Sequence, residues 1–171
     1  MAWVPCDEPR FLSEQECQDV LALFLEETGE RYVESSVRHL PIPAWGGNMK
    51  LVDLDLKQPP IEGVLWATPF MDDIVRVAAF VVHSRHQSKG YGAQAWSEFT
   101  RHATEAGFGR VQLEVKAANT RAQSFYIQRG LTVQDSLIGY YASGPGYMMR
   151  GPLVGNQGKD LHAMGRGEHR V

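Results

Sequence analysis

Residues 75–82 form an apolar run, 84–89 are polar, and Gly90-Tyr91-Gly92-Ala93 then opens an amphipathic pattern. This succession constrains the chain more than any other feature. The run reads as a buried strand. Ala93, Trp96, Phe99, Thr100 and Ala103 recur at three and four residues, which is one face of a helix ended by Gly107. Glycines at a strand-to-helix turn let the backbone come close to a ligand. The helix start adds unpaired N–H groups and a partly positive dipole end, so the turn is suited to a pyrophosphate. No Gly-Lys-Ser/Thr closes it, which excludes a Walker loop.

Two readings of the glycines remain. Gly90-x-Gly92-x-x-Ala95 fits a loose Rossmann fingerprint, with Glu114 near the acidic position, but that fold makes its strand-to-glycine turn tight. The other reading depends on the rest of the chain. At 171 residues and 43% hydrophobic, the protein is long and apolar enough for one domain with a real core, expected over 1–153. Residues 154–171 carry little apolar content and are expected to form a flexible tail.

Ser13-Glu14-Gln15-Glu16 is a capping box and Gly29 a stop, with Val20, Leu21, Phe24 and Leu25 on one helical face between them. Prolines and glycines make 38–48 a loop. Residues 49–56 read as a strand, and 61–70 and 73–82 as strands joined through Asp72-Asp73. Strand 111–115, a helix capped by Asn119 and stopped by Gly130, and strands 131–138 and 147–150 complete an α+β pattern, a sheet with helices on its faces.

Composition sets further expectations. The net charge of −3 speaks against nucleic acid as a partner. No apolar run approaches the ~20 residues of a membrane span, and no secretory signal opens the chain. Cys6 and Cys17 give neither a disulfide framework nor zinc spacing. A cytoplasmic setting is expected; the oligomeric state is left open.

Three motifs follow one another in order. They are Gln87-x-x-Gly90-x-Gly92-Ala93, then Leu113-Glu114-Val115-Lys116-Ala117-Ala118-Asn119, then Ala122-Gln123-Ser124-Phe125-Tyr126 running to Gly130-Leu131. Tyr140-Tyr141 comes later. Together they resemble the GNAT N-acetyltransferases, closest to the ribosomal-protein alanine and protein Nα-acetyltransferases, over about 75–153. The resemblance implies the GNAT fold, with a mixed, mostly antiparallel central sheet and helices on both faces. It also implies acetyl-CoA as acetyl donor, no metal, and a protein N-terminus as acceptor.

Residue roles follow from the resemblance. Glu114 falls on the proposed base, and its flanking Leu113 and Val115 point it to the opposite face by alternation. A solvent-facing strand glutamate is the plain alternative. Tyr126 falls on the tyrosine that gives a proton to the departing thiolate, or is simply a core aromatic beside Phe125. Gln87, Ser88, Lys89, Gly90, Tyr91, Gly92 and Ala93 form the cofactor loop. The backbone of Phe80, Val81 and Val82 holds the acetyl and pantetheine groups. Asn119 hydrogen-bonds the cofactor, caps its helix, or does both. Tyr140 and Tyr141 line the peptide mouth. There the chain departs from the family pattern: Gly144-Pro145-Gly146-Tyr147-Met148 lacks the usual Asp and is shortened.

An α-amine with pKa near ~8 is neutral far more often at pH 7 than a lysine near ~10.4, so a modest base acting through water suffices for an N-terminal acceptor. A lysine side chain or small amine is the alternative acceptor. A CoA-binding regulatory module without turnover is a third reading. His83 and His86 flank a turn with no acid or cysteine to complete a metal site. Glu26, Glu27 and Glu30 lie at the end of the first helix, either at a substrate mouth or on a solvated face.

Overall fold

The structure, a computed structural model, describes residues 1–153. The expected tail lies outside the described residues. Seven strands form one sheet: β1 (Ala2–Pro5), β2 (Met49–Val52), β3 (Gly63–Met71), β4 (Ile74–Val82), β5 (Arg110–Lys116), β6 (Thr132–Tyr141) and β7 (Gly144–Pro152). Their order is β1-β2-β3-β4-β5-β7-β6, and every neighbouring pair is antiparallel except β4 and β5. Among the described residues four α-helices accompany them: α1 (Glu14–Thr28), α2 (Glu34–Arg38), α3 (Tyr91–Glu105) and α4 (Thr120–Gln128).

Alternation along β3 assigns the two faces. Val64 and Trp66 join Cys17, Val20 and Phe24 of α1 in one buried cluster. Leu65 and Ala67 join Trp96 and Phe99 of α3, Phe125 of α4, and Val75, Val111 and Leu113 in the other. Successive side chains of a strand point to opposite faces, so one strand serves both cores. This is the expected α+β sheet with helices on both faces. The dinucleotide-binding reading fails, because the sheet is mostly antiparallel and a 3-10 turn, Ser84–His86, separates β4 from the glycines.

Helix α1 starts and stops as expected. The Ser13 hydroxyl accepts from the Glu16 N–H at 3.1 Å, the Ser13 N–H donates back to Glu16 Oε1 at 3.0 Å, and Gly29 (φ 72°) takes the left-handed conformation. The β3–β4 turn falls at Asp72 (φ 48°) and Asp73.

The strands expected over 131–138 and 147–150 run further, so that Tyr140 and Tyr141 lie within β6, and three other elements differ from expectation. β1 was not foreseen, for it is a four-residue edge strand ending in Pro5, too short to show alternation. α2 is a five-residue helix, too short for a readable period. The strand expected over 49–56 ends at Val52, because the Asp55 N–H donates to Asp53 Oδ1 in a side-chain turn that leaves Leu54 and Leu56 exposed.

The pairing of β4 with β5 runs from Ile74↔Arg110 to Val77↔Leu113 and stops. Beyond it, residues 78–82 stay with β3, whereas Glu114 to Lys116 stay with β7. The parallel pair therefore parts, and the opening between its two halves is the main cleft.

Candidate active site

The cleft has a volume of about 600 Å³. Ala78 to Val81 wall one side and Leu113 to Lys116 the other. Asn119, Ala122 and Tyr126 of the α4 segment also line it, as do Glu27 and Glu30. A larger surface groove of about 800 Å³ runs past Arg38, Pro43 and Pro69. It gathers none of the expected site residues, and Arg38 is committed to Glu34 and the Leu12 carbonyl.

Glu114 reaches the cleft from β5, as alternation requires, with its side chain only 13% exposed. Its carboxylate is not alone. Arg76 Nε donates to both oxygens, at 3.0 and 3.1 Å, and Arg76 also donates to the Tyr140 hydroxyl at 3.2 Å. The sequence reading missed Arg76. Its signal was a lone cation inside the apolar run Ile74-Val75-Arg76-Val77, a placement that calls for a buried partner.

Tyr126 is buried among Trp96, Phe125 and the sheet, yet lines the cleft. Burial holds its hydroxyl well above the ordinary phenol value, so it stays protonated and able to donate. A carboxyl group and a neutral phenol thus share one cleft.

The loop residues 87–93 form the turn between β4 and α3 and the start of α3. Ser88 (φ 62°) and Gly90 (φ 88°) both take positive φ, and Gly90 caps α3 without any side-chain hydrogen bond to its first turn. The early N–H groups of α3 are therefore left for an anion. Gln87 is fixed twice, donating to the Val82 carbonyl at 2.8 Å and to Glu27 at 3.3 Å. The other edge of Glu27 accepts from the Ser84 N–H at 3.1 Å. On the β5 side, residues 78–82 have no strand partner, which leaves backbone groups near Phe80 and Val81 open to the cleft. Side chains there serve the cores: Phe80 stacks on Trp96, and Val81 and Val82 are buried. Asn119 Oδ1 caps α4 by accepting from the Ala122 N–H at 3.0 Å, and Asn119 also lines the cleft. An uncapped helix start, an open strand edge and Lys89 beside the turn suit the diphosphate and amide-rich arm of acetyl-CoA.

The two tyrosines separate. Their rings meet edge-to-face at 4.9 Å, but Tyr141 lines the cleft, whereas Tyr140 is half exposed and turned to Arg76. Gly146, in the segment that departs from the family pattern, is closely packed. A Cβ there would sit 2.5 Å from the Tyr141 ring and 2.9 Å from the Val115 carbonyl oxygen, so Tyr141 packs where no side chain is tolerated.

Glu30, at the mouth, pairs with Lys116 at 3.1 Å and accepts from the Ser143 hydroxyl at 3.1 Å. Lys116 also donates to the Thr28 carbonyl and lies 5.6 Å from the Tyr141 ring centre. These contacts tie the end of α1 to the β6–β7 turn across the tip of β5.

The acids not foreseen beside His83 are Glu26 and Glu27. The imidazole is engaged as a hydrogen-bonding group: its Nδ1 accepts from the Arg85 N–H, so Nε2 carries the proton and faces Glu26 at 2.9 Å. That tautomer is the wrong one for ligation through Nε2. Among the described residues, no helix is long and apolar enough to cross a membrane.

The model of the Acetyltransferase (GNAT) family matches residues 18–131. No curated protein matches the chain. Among solved structures, Ard1 from Thermoplasma volcanium superposes with a TM-score of 0.72 at 20% identity, over 89% of this chain and 98% of that one. The ribosomal-protein-S18-alanine N-acetyltransferase from Escherichia coli gives 0.66 at 15% identity, over 89% and 93%. An aminoglycoside 6'-acetyltransferase type Ii gives 0.66 at 19% identity, over 90% and 97%. These likenesses establish a shared fold. The family match covers the cofactor loop, Glu114 and Tyr126, and with it the chain belongs to the GNAT family, as an N-acetyltransferase that uses acetyl-CoA.

Proposed function

We propose that the protein acetylates the α-amine at the N-terminus of a protein or peptide, by direct transfer within a ternary complex. The observation that carries this reading is the pair of ties that Glu30 makes at the cleft, beside the strand that carries Glu114. The ties of Glu30 to Lys116 and Ser143 span the approach, so a slender chain end fits better than a bulky amine. The neighbour named for the alanine of ribosomal protein S18 supports the same class of acceptor.

Acetyl-CoA, when bound, supplies an acetyl thioester whose C–S bond is exchanged for a C–N bond. Gln87 to Ala93 and Asn119 hold that group, helped by the open backbone of Phe80 to Val82. Glu114 takes the proton released by the acceptor nitrogen, through a water, on a lone pair that Arg76 leaves free. Tyr126 gives the sulfur its proton from Oη. Tyr141 forms one wall for the acceptor chain, and Tyr140 acts on the acceptor side through Arg76.

A second reading keeps the chemistry and takes a lysine side chain or a small amine. The aminoglycoside-acetylating neighbour and the acid Glu30 at the cleft favour it. The deciding experiment incubates a mixed N-terminal peptide library, together with free amines and lysine peptides, with the protein and acetyl-CoA, and reads products by mass spectrometry. Acetylated α-amines with a first-residue preference are expected. A clear preference for free amines overturns the proposal.

A further inference from the structure

The cofactor loop itself carries one cation, Lys89, yet it lies beside the carboxylate of Glu27, which repels an anion. A second cation reaches the loop from outside. Arg121, in the first turn of α4, donates from one guanidinium nitrogen to Gln87 Oε1 and from the other to Ser88 Oγ, both at 2.9 Å. Both acceptors are neutral, and Arg121 is exposed.

We propose that Arg121 is a phosphate-binding residue, whose guanidinium exchanges Gln87 and Ser88 for the diphosphate of acetyl-CoA. The inference rests on reading residues 87–93 as the cofactor cradle. Charge-assisted hydrogen bonds to phosphate are stronger than those to an amide or hydroxyl, so the exchange is favourable. The planar fork matches two phosphate oxygens, which a lysine cannot do. Position favours the diphosphate over the ribose phosphate. Arg121 is anchored on Gln87 and Ser88, where the left-handed turn through Ser88 and Gly90 starts and leads to the uncapped N–H groups of α3. The free protein thus stores the guanidinium beside the place it serves.

The test is a matrix of dissociation constants. Wild type, Arg121→Ala and Arg121→Lys are each titrated with acetyl-CoA, 3′-dephospho-acetyl-CoA and S-acetylpantetheine, the last at millimolar concentrations by ligand-observed NMR. Arg121→Ala is expected to weaken both nucleotide thioesters roughly tenfold and leave acetylpantetheine unchanged, with Arg121→Lys recovering part of the loss. Loss confined to acetyl-CoA moves the contact to the 3′-phosphate and overturns the assignment. Equal loss for all three ligands makes Arg121 a loop brace only, and no loss removes it altogether. If wild type binds acetylpantetheine as tightly as acetyl-CoA, the cradle reading itself falls, whatever Arg121 does.

Discussion

Arg76 Nε lies 3.0 Å from one carboxylate oxygen of Glu114 and 3.1 Å from the other, so the carboxylate is held by an ion pair before any acceptor arrives. The pair crosses from β4 to β5 where the two strands part, and both side chains are largely buried. Arg76 therefore fixes where Glu114 can point.

Glu114→Gln is expected to lower kcat by about a hundredfold, with the dissociation constant for acetyl-CoA nearly unchanged. Arg76→Ala is expected to lower kcat by a smaller factor, and adding it to Glu114→Gln should cost little more, because the two act as a unit. Steady-state kinetics on the four-member cycle check this. Fully additive losses, or unchanged turnover in Glu114→Gln, remove the pair from the mechanism.

Tyr126→Phe removes one hydroxyl without opening a large cavity, and a loss of roughly tenfold or more in kcat is expected at unchanged acetyl-CoA affinity. The same phenol sets an alkaline limit on stability. Burial keeps Tyr126 protonated in the folded state beyond the pH at which the unfolded chain ionises. Stability is then level below about pH 10 and falls above it, by up to ~1.4 kcal/mol per pH unit for this group. Urea unfolding between pH 8 and 11 should show a shallower decline in Tyr126→Phe.

Gly146→Ala places a methyl group against a backbone oxygen and the Tyr141 ring. The backbone contact cannot swing away, so a destabilisation of about 1–3 kcal/mol is expected, with an acceptor KM raised more than that of acetyl-CoA. A variant with wild-type stability and acceptor KM would show that Tyr141 does not depend on this close contact.

Glu30→Gln weakens the tie to Lys116 and Ser143 without removing bulk. The expected result is a higher KM for peptides and easier entry for bulky amines, with acetyl-CoA binding unaltered. Comparing a tetrapeptide with an aminoglycoside in wild type and variant reads this directly; an unchanged ratio argues against the tie as a selectivity device.

Ser13→Ala removes one half of the α1 capping box and is expected to cost about 1 kcal/mol in urea unfolding. Glu16 adds an acid limit. Partial burial opposes its charge, but hydrogen bonds from Lys50 and Ser13 prevail and hold its carboxyl below the ordinary range. Its contribution is present above the unfolded value near ~4.3 and is lost as pH falls through the lower folded value. Glu16→Gln should flatten that part of the acid-unfolding curve.

The sequence was legible where a local pattern and a global need coincide. The capping box at Ser13, the left-handed Gly29 and the period of α3 were readable because each is decided within a few residues. So was the placement of Glu114 and Tyr126 in one cleft, through motif order. Arg76, Arg121 and Lys116 were not readable in their present roles. Each is defined by a partner at least 33 positions away, and a charge in a sequence does not announce which distant carboxylate or carbonyl will meet it. β2 misled in the opposite sense, since Leu54 and Leu56 continue an apolar alternation that the Asp53 turn leaves in solvent.

One long contact reaches from the sheet's outer edge to the cofactor loop. The Trp3 indole N–H donates to the Tyr91 carbonyl at 2.8 Å, across 88 positions of chain. Among the described residues β1 pairs with β2 alone, yet through Trp3 it grips the first residue of α3, whose start is expected to receive acetyl-CoA. Affinity tags or fluorophores joined ahead of Met1 therefore sit on a lever arm. What is fused there for convenience bears on how tightly the cradle is set, and a comparison of tagged and untagged protein measures that mechanical link.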